Sequence, residues 1–346
     1  FYPEGGGQPC DTGALGTALV TDVQEHGGVI THTVSAALPV GQTVEGRIDW
    51  ARRRDHMEQH TGEHILSGTL HRLFGAENVG FHIGSPAVRM DMSVPLTAGQ
   101  LAEAEAQANA VIRADAPVRC WYPAPEDLAK LTYRSKKEID GAVRLVDAGG
   151  ADLCACCGTH VSTTGQVGAI KILSAQSYKG GTRLAVVCGE RAHQSIAAAW
   201  QDAAAVGTLL SSAPGRLLPA VQNLQTAEAA LKQRLAAMQN ALSEALAQAA
   251  VPGQPAVLHC DGADGDGLRR ICLAVSARTN ALTAVLASGG QGLAYALCLP
   301  GGDVRPVCKA LNEAFGGRGG GKPGFCQGSL ACTDFADVQN FLVNYH

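Results

Sequence analysis

The segment HTGEH at residues 60–64 places two histidines four residues apart, within a stretch from 51 to 74 whose residue pattern is helical. Residues four apart project from the same face of a helix, so His60 and His64 can offer two imidazoles to one ion. Together with Glu63 the segment also fits H-x-x-E-H, in which the glutamate is the general base of a zinc peptidase. The pentapeptide alone therefore predicts either part of a metal site or a peptidase centre.

A second segment, CACCGTHV at residues 154–161, repeats the same spacing with Cys156 and His160. Added to the first pair, it gives three imidazoles and one thiolate, a tetrahedral set of the kind that zinc prefers. A turn containing Gly158 would let this segment fold both of its ligands onto one ion. The two segments together predict one zinc ion per chain.

The spacing alone leaves alternatives open for two of the four predicted ligands. His56 extends the series of helical steps and could replace His64, and Cys154 or Cys157 could replace Cys156. In either arrangement the thiolate closes the coordination sphere and lowers the Lewis acidity of the ion. Glu63 would then have no metal-bound water to activate, so the pattern disfavours the peptidase.

Two glycine-rich segments are further candidates for binding. FYPEGGGQP (1–9) would let a ligand approach backbone N–H groups, and Gln8 both donates and accepts hydrogen bonds; a tight hairpin turn is the alternative. GGRGGGKPGF (316–325) fails the phosphate-loop pattern at Pro323, so nucleotide hydrolysis is not predicted. Its Arg318 and Lys322 could still contact a phosphate backbone, although a flexible surface loop also fits.

The composition sets limits on the class of protein. A length of 346 residues predicts two or three domains, and the net charge of −4 excludes a strongly basic nucleic-acid coat. Local basic clusters remain at 52–54 and at Arg134, Lys136 and Lys137. No run of 18 apolar residues exists, and the scattered cysteines indicate a reduced, cytoplasmic protein. The sequence begins inside a motif without methionine, so we expect a preceding segment.

The periodicity predicts an α+β fold in the first half of the chain. Glycines and short Val/Thr/Ile runs in residues 1–50 predict a small β-barrel or sheet. Two long helices are predicted, at 51–74 with Gly75 as C-cap and at 96–115 with Thr97 as N-cap. The other strands, which are mostly antiparallel, are predicted at 27–34, 43–50, 78–84, 87–94, 118–122, 143–148, 167–173 and 182–188.

The second half changes character at residue 190. Residues 190–252 are rich in alanine, leucine and glutamine. In the second half of this stretch, apolar residues recur in alternating steps of four and three, a heptad seam with Glu228 at its one broken position. The seam residues are Leu217, Val221, Leu224, Leu231, Leu235, Met238 and Leu242. This predicts a helical hairpin or short coiled coil, which either packs on its own domain or joins two chains in a homodimer. From residue 253, strands alternate with a helix near 265–279 and precede a glycine-rich loop and a last helix, a small α/β domain.

Taken in order, FYPEGGGQ, HTGEH and CCGTH resemble the motifs of the alanyl-tRNA editing proteins of the AlaX family and of the C-terminal half of alanyl-tRNA synthetase. The tail is similar to the DHH-associated domain that ends those synthetases, as in the long AlaX form. The resemblance implies a zinc-containing editing domain of the threonyl/alanyl-tRNA synthetase type. The implied segments are an N-terminally truncated β domain (1–50), the editing domain (51–189), the helical hairpin (190–252) and a DHH-associated tRNA-binding domain (253–346).

The resemblance also implies an activity. It is hydrolysis of the aminoacyl ester of tRNA(Ala) mischarged with serine or glycine, which releases the amino acid. A homodimer through the hairpin or the C-terminal domain is a separate prediction, and no membrane partner is expected. The implied zinc ligands are His60, His64, Cys156 and His160, and the implied tRNA contacts are Arg318 and Lys322.

A mechanistic hypothesis assigns the remaining candidates. Gln8 would lie beside the aminoacyl ester, and N–H donors of Gly6 and Gly7 would stabilise the oxyanion. Thr61 would hydrogen-bond the serine hydroxyl and so reject alanine. The alternatives from other classes are an RNA-binding module with a purely structural zinc and the inverted-motif zinc peptidase.

Overall fold

The computed structural model describes residues 1–135, 141–290 and 292–345, so the predicted basic residues Lys136 and Lys137 lie outside the described residues. The chain divides into two compact units, Phe1–Leu209 and Leu210–His346. The finer division into four segments ending at 50, 189, 252 and 346 stays a prediction.

The first unit is α+β, with three mainly antiparallel sheets ordered β3-β2-β1-β4, β10-β11-β6-β5 and β7-β8-β9. Its helices are α1 (Trp50–Phe74), α2 (Ala98–Arg113), α3 (Pro125–Leu128) and α4 (Gly189–Leu209). Its strands are β1 (Gly13–Leu15), β2 (Ala18–His26), β3 (Val29–Val34), β4 (Gly46–Ile48), β5 (Asn78–Ile83), β6 (Val88–Met92), β7 (Val118–Trp121), β8 (Leu145–Ala148), β9 (Leu153–Ala155), β10 (Ile170–Tyr178) and β11 (Gly181–Cys188).

Helix α1 carries HTGEH through the middle of this unit. It begins at Trp50, one residue before the predicted start, and its predicted C-cap Gly75 is confirmed. Asp49 caps its start by accepting a hydrogen bond from Arg52 N at 3.1 Å, and Gly75 ends it in the left-handed conformation with φ 63°. Between these ends the helix is buried on every side from Glu58 to Leu70, polar residues included. A helix that buries polar side chains on all faces must supply each of them with a partner, and at His60 and His64 those partners form the site described below.

Helix α2 and the central sheet build the core around α1. Thr97 makes a full capping box with Gln100, as the sequence predicts. Leu101, Ala104 and Ala108 of α2 are buried in the same cluster as Leu66 of α1 and strands of the β10-β11-β6-β5 sheet. Gly62 of HTGEH is part of this packing, because a Cβ there would overlap the Cys188 side chain of β11.

One predicted strand of this unit is partly wrong. The strand predicted at 167–173 begins only at Ile170, because Thr164–Val167 form a 3-10 turn and Gly168 takes φ 76°. The valine, alanine and isoleucine of VGAIKIL made the segment look continuous. Its glycine instead marks the turn that precedes the strand.

The second unit contains α5 (Leu217–Ala249) and a five-stranded sheet ordered β12-β13-β14-β16-β15. The strands are β12 (Ala256–His259), β13 (Thr283–Gly289), β14 (Gly292–Cys298), β15 (Arg318–Lys322) and β16 (Phe325–Leu330), and the other helices are α6 (Gly265–Thr279), α7 (Arg305–Ala314) and α8 (Phe335–Val343). Helix α6 matches the predicted range, whereas α7 was not predicted. Apolar residues of α6 and of the sheet form a shared buried cluster.

The glycine-rich segment predicted as a loop is instead a strand. Residues Arg318–Lys322 pair with Phe325–Leu330 as the edge strand β15, and all five residues are exposed. Glycines allow this close pairing, since a Cβ on Gly319 or Gly321 would overlap the backbone of β16.

Helix α5 contains the whole predicted heptad seam. The seam residues from Val221 to Leu242 are exposed. Whether the seam joins two chains stays a prediction. Among the described residues, none of the helices has the length and apolar character needed to cross a membrane.

Candidate metal centre

Four side chains from the two predicted segments meet inside the first unit. One ligand atom each from His60, His64, Cys156 and His160 lies within 4.8 Å of all the others. The two helical histidines are 2% exposed, and their rings stack with centroids 5.4 Å apart. Helix α1 therefore presents its pair to the segment that follows β9, as the spacing predicts.

The separations between these atoms match those of a tetrahedral zinc site. Cys156 Sγ lies 3.4 Å from His60 Nε2 and 3.6 Å from His160 Nε2. With zinc–sulfur and zinc–nitrogen bonds of about 2.3 Å and about 2.0 Å, the sulfur–nitrogen edge of a tetrahedron is about 3.5 Å. His64 Nε2 is buried and meets no hydrogen-bond partner among the described residues. An ion would satisfy that atom, so the residues present fit a zinc ion.

His60 is held by Gln8 of the N-terminal segment. Gln8 Oε1 accepts a hydrogen bond from Thr159 N at 3.2 Å and lies 2.9 Å from His60 Nδ1. Because a backbone N–H donates to this atom, the atom is the amide oxygen, and His60 Nδ1 must carry the proton. The Nε2 lone pair of His60 is then free to bind a cation.

His160 has a partner of the same kind in Thr61. The Thr61 hydroxyl accepts a hydrogen bond from Val161 N at 3.2 Å and lies 3.3 Å from His160 Nδ1. Thr61 is fully buried, as is Gln8. The roles predicted for both residues beside the substrate stay predictions, whereas their contacts with two of the four ligands are observed.

His64 contacts a residue that the sequence analysis did not select. Its Nδ1 lies 2.8 Å from Asp152 Oδ2, and both side chains are 2% exposed. Arg134 Nε in turn donates to Asp152 Oδ1 at 2.8 Å. Nothing in the sequence assigns Asp152 to His64 rather than to another histidine, since the pairing depends on how β9 packs beside α1.

The surroundings of Cys156 and His160 favour the metal-binding forms of these two side chains. Burial acts to raise the pKa of the Cys156 thiol, but His60 and His160 outweigh it and hold the pKa well below its usual range. Burial and the neighbouring His60 and His64 lower the pKa of His160 to about 3, despite the opposing effect of Cys156. A thiolate and a neutral imidazole are the forms in which cysteine and histidine bind zinc.

Of the alternative ligands, His56 and Cys157 lie outside the groups that could hold an ion, whereas Cys154 lies beside His64. His56 is buried but does not belong to the four-residue group, and Cys157 is exposed. Cys154 is buried in a second group with His64 and Asp152. Glu63, the base of the peptidase hypothesis, is buried and accepts a hydrogen bond from Asn78 of β5.

The glycines of FYPEGGGQ form the tight turn that the sequence offered as an alternative. Gly5 and Gln8 exchange two backbone hydrogen bonds, of 3.1 and 3.0 Å, around Gly6 and Gly7, which have φ 60° and 83°. Two successive positive φ angles are typical of a type I′ turn and strongly favour glycine. A Cβ on Gly7 would overlap Phe81, so the turn lies directly against β5, while Gly6 borders open space.

Gly158 is required for a reason other than turn conformation. A Cβ at this position would overlap the imidazole of His60. Its neighbouring backbone is tied by Arg144, which donates to Cys156 O at 2.8 Å and to Gly158 O at 3.0 Å. The glycine lets the CCGTH segment approach α1 closely enough for four ligand atoms to meet.

The predicted tRNA contacts are in the second unit. Arg318 and Lys322 begin and end the exposed edge strand β15. A cavity of about 420 Å³ is lined by Gly319–Gly321 on this strand together with Arg305 and Lys309 of α7. Basic side chains and exposed backbone N–H groups at a sheet edge suit an anionic ligand.

The known proteins similar to this chain include alanyl-tRNA editing proteins and alanine–tRNA ligases. The family model for the threonyl and alanyl tRNA synthetase second additional domain matches residues 143–185. Alanyl-tRNA editing protein Aarsd1-B of Xenopus laevis is 30% identical over 95% of this chain and 82% of its own length, and Aarsd1 of Danio rerio is 29% identical over 99% and 85%.

A synthetase is also similar. Alanine–tRNA ligase of Pyrobaculum neutrophilum is 34% identical over 95% of this chain, which spans only 39% of the ligase. Among solved structures, the C-Ala domain from Aquifex aeolicus alanyl-tRNA synthetase is 16% identical over 26% of this chain and 86% of that chain, with a TM-score of 0.24. That score is too low to assign a fold.

Proposed function

Since the chain belongs to the alanyl-tRNA editing protein family, we propose that it is an aminoacyl-tRNA deacylase that hydrolyses the ester of mischarged tRNA(Ala). The observation that carries the proposal is the meeting of all three motifs at one place. Gln8 Nε2 donates to Thr159 Oγ1 at 2.8 Å across 151 residues, and Gln8 Oε1 contacts His60. The side chains of all three motifs therefore lie together in one site, which contains the glycine-rich turn, the histidine pair and the Cys/His pair.

Zinc is the metal that we propose for this constellation, one ion per chain. His60, His64, Cys156 and His160 would hold it, and the fit of their separations and the buried Nε2 of His64 support the choice. When bound, zinc supplies a positive charge that fixes the four side chains and polarises groups next to them.

The hydrolysis itself needs modest help, because an aminoacyl ester is already reactive. The turn at Gly6 and Gly7 would offer backbone N–H groups to the oxyanion, and the open space beside Gly6 leaves room for a substrate. Gln8 would act mainly by orienting His60, since both of its polar atoms contact protein. The residues would thereby hold the ester and a water in a reactive arrangement.

Serine is the substrate that we propose, with glycine as the second. Thr61 would provide the hydroxyl that recognises serine, provided that its contacts with His160 and Val161 leave one hydrogen-bonding site free. A hydroxyl has one donor and two acceptor sites, so three contacts are compatible. Rejection of alanine would follow from leaving that site unfilled, and glycine, which also lacks the hydroxyl, would be hydrolysed more slowly than serine.

The second unit would bind the tRNA. Arg318 and Lys322 flank three glycines on an exposed strand, where phosphates can approach the backbone closely. Association of two chains through the exposed α5 seam would present two such strands to one or two tRNA molecules.

A deacylation assay tests this function. The protein is mixed with tRNA(Ala) carrying radiolabelled serine, glycine or alanine, and release of each amino acid is followed. We expect serine release to exceed alanine release by a factor on the order of 10⁴, the discrimination of a site that hydrogen-bonds a substrate hydroxyl against the analogue that lacks it. Equal release of all three, or none above the no-protein control, would contradict the proposal.

One observation favours a different function. Three imidazoles and a thiolate form a closed set, and closed sets are typical of structural zinc. An RNA-binding module with structural zinc would bind tRNA(Ala) without deacylating any charged form. The same assay, combined with a filter-binding measurement, separates this module from the deacylase.

A further inference from the structure

We propose that Asp152 is a positioning residue for the metal centre: through its hydrogen bond it fixes the tautomer and orientation of His64, and so sets the affinity of the site for zinc. The inference rests on the proposed zinc site. It concerns a residue outside all three sequence motifs and does not require Asp152 to touch the substrate.

The hydrogen-bond chemistry allows one assignment. A carboxylate only accepts, so the 2.8 Å contact between Asp152 Oδ2 and His64 Nδ1 requires the proton to be on Nδ1. In the neutral imidazole, the form that binds a metal, the lone pair of His64 is then on Nε2. That atom is the one that lies with the other three ligand atoms and lacks a hydrogen-bond partner among the described residues.

Asp152 is itself held firmly. Arg134 donates to both carboxylate oxygens, at 2.8 and 3.0 Å, and its Nη2 also donates to Ser67 Oγ of α1 at 2.6 Å. The backbone of Asp152 accepts from Ala148 N at 2.9 Å in the β8–β9 turn. Helix α1 is thus connected to Asp152 twice, directly through His64 and indirectly through Ser67 and Arg134. These contacts leave the carboxylate little freedom to turn away from His64.

The partner of His64 differs in charge from the partners of the other two histidines. Gln8 and Thr61 are neutral, whereas Asp152 is an anion. An anionic acceptor raises the basicity of the imidazole and strengthens its bond to a cation. Arg134 balances the buried negative charge, which would otherwise be costly. Of these three contacts, the one with Asp152 should therefore have the largest effect on zinc affinity.

The test is a titration of zinc against a chromophoric chelator with the full chain. Wild type is compared with Asp152→Ala, Asp152→Asn and the matched control Asp147→Asn, whose carboxylate accepts from Gly150 N in the same turn. We expect zinc affinity to fall about 10- to 100-fold in Asp152→Ala, the usual effect of losing such a contact. Asp152→Asn keeps an oxygen acceptor and should lie between, and Asp147→Asn should match wild type.

The outcomes separate the two proposals. If wild type itself binds no zinc, the proposed metal function fails. If wild type binds zinc and Asp152→Ala binds it equally tightly, only the positioning role fails. If Asp152→Ala does not fold by circular dichroism, nitrogen-15 spectra of zinc-loaded wild type decide. A proton on His64 Nδ1 supports the inference, and a proton on Nε2 overturns it.

Discussion

Gln8 Oε1 lies 2.9 Å from Nδ1 of His60, although the two residues are 52 positions apart in the sequence. The contact joins the glycine-rich N-terminal segment to the histidine pair of α1. It gives the glutamine a role that the sequence motif alone does not show, because the side chain is fully buried and its amide oxygen faces a predicted metal ligand. The N-terminal turn is therefore part of the structure of the metal centre.

Replacing Gln8 by alanine should weaken zinc binding. His60 Nδ1 would lose a neutral acceptor, and we expect the zinc affinity to fall about 10-fold, less than in Asp152→Ala, measured by chelator competition. Gln8→Glu keeps an oxygen in the same place and should remain closer to wild type. If Gln8→Ala loses deacylation while its zinc affinity is unchanged, the glutamine acts on the ester directly and the orienting role is wrong.

Adding a methyl group at Gly158 should disrupt the site from within. The new Cβ would overlap the His60 imidazole, which is held by Gln8 and packs against Phe81 with ring centroids 4.9 Å apart. We expect Gly158→Ala to lower unfolding free energy by roughly 1–3 kcal/mol, the usual cost of overpacking, and to reduce bound zinc. The matched control is Gly99→Ala at the exposed start of α2, where the added methyl group meets open space. A Gly158→Ala protein with normal zinc content would show that the centre is looser than described.

The ion pair between the buried Asp11 and the partly exposed Arg53 should make the stability of the protein depend on pH in the acid range. Asp11 is fully buried, with Tyr2 N donating at 2.6 Å and Arg53 Nε at 2.9 Å. Burial acts to raise the pKa of Asp11, but Arg53 and the Tyr2 N–H outweigh it and lower the pKa below its ordinary value. Its contribution is therefore present above the ordinary carboxyl pKa and is lost as pH falls through the lowered value.

We expect Asp11→Ala to lower unfolding free energy at pH 7 by roughly 1–3 kcal/mol, because the Tyr2 N–H and the partly exposed Arg53 guanidinium lose their acceptor. In urea unfolding, the difference in unfolding free energy between wild type and Asp11→Ala should be smaller near pH 3 than at pH 7. Glu45→Ala, which removes an exposed ion pair with Arg47, serves as the control and should change little. A gap that stays constant with pH would contradict the assignment.

Substitutions on the edge strand β15 should affect tRNA affinity and its salt dependence. Arg318→Gln and Lys322→Gln should each weaken binding and reduce the slope of log affinity against log salt by about 1, the effect of one lost phosphate contact. Lys232→Gln on α5, which already pairs with Glu228, is the control of equal charge change. If all three variants lower affinity equally, the effect is one of net charge and β15 is not a specific contact.

Helices α1 and α2 and the clustering of the four candidate ligands were predictable because their signals are local. Asp49 and Gly75 bound α1 by capping, and the spacing of four residues places His60 and His64 on one face. The pairing of Cys156 with His160 follows the same spacing. These features depend on residues close in sequence, so no knowledge of the tertiary structure is needed.

The outer contacts of the site were not predictable for the opposite reason. Asp152 lies 88 positions from His64, and Thr159 lies 151 from Gln8, so these pairs form only through packing. The edge strand β15 was predicted as a loop because RGGGK has neither side-chain alternation nor β-branched residues. Its pairing is set by the neighbouring strand β16.

The most direct test of the account compares two adjacent cysteines. Cys156 is in the ligand cluster, whereas Cys157 is exposed outside it. Zinc content and deacylation of Ser-tRNA(Ala) are measured for wild type, Cys156→Ala and Cys157→Ala. We expect wild type and Cys157→Ala to hold one zinc ion per chain and release serine at equal rates, and Cys156→Ala to lose both zinc and most of the activity. A zinc-free Cys156→Ala protein with full deacylation activity would contradict the account.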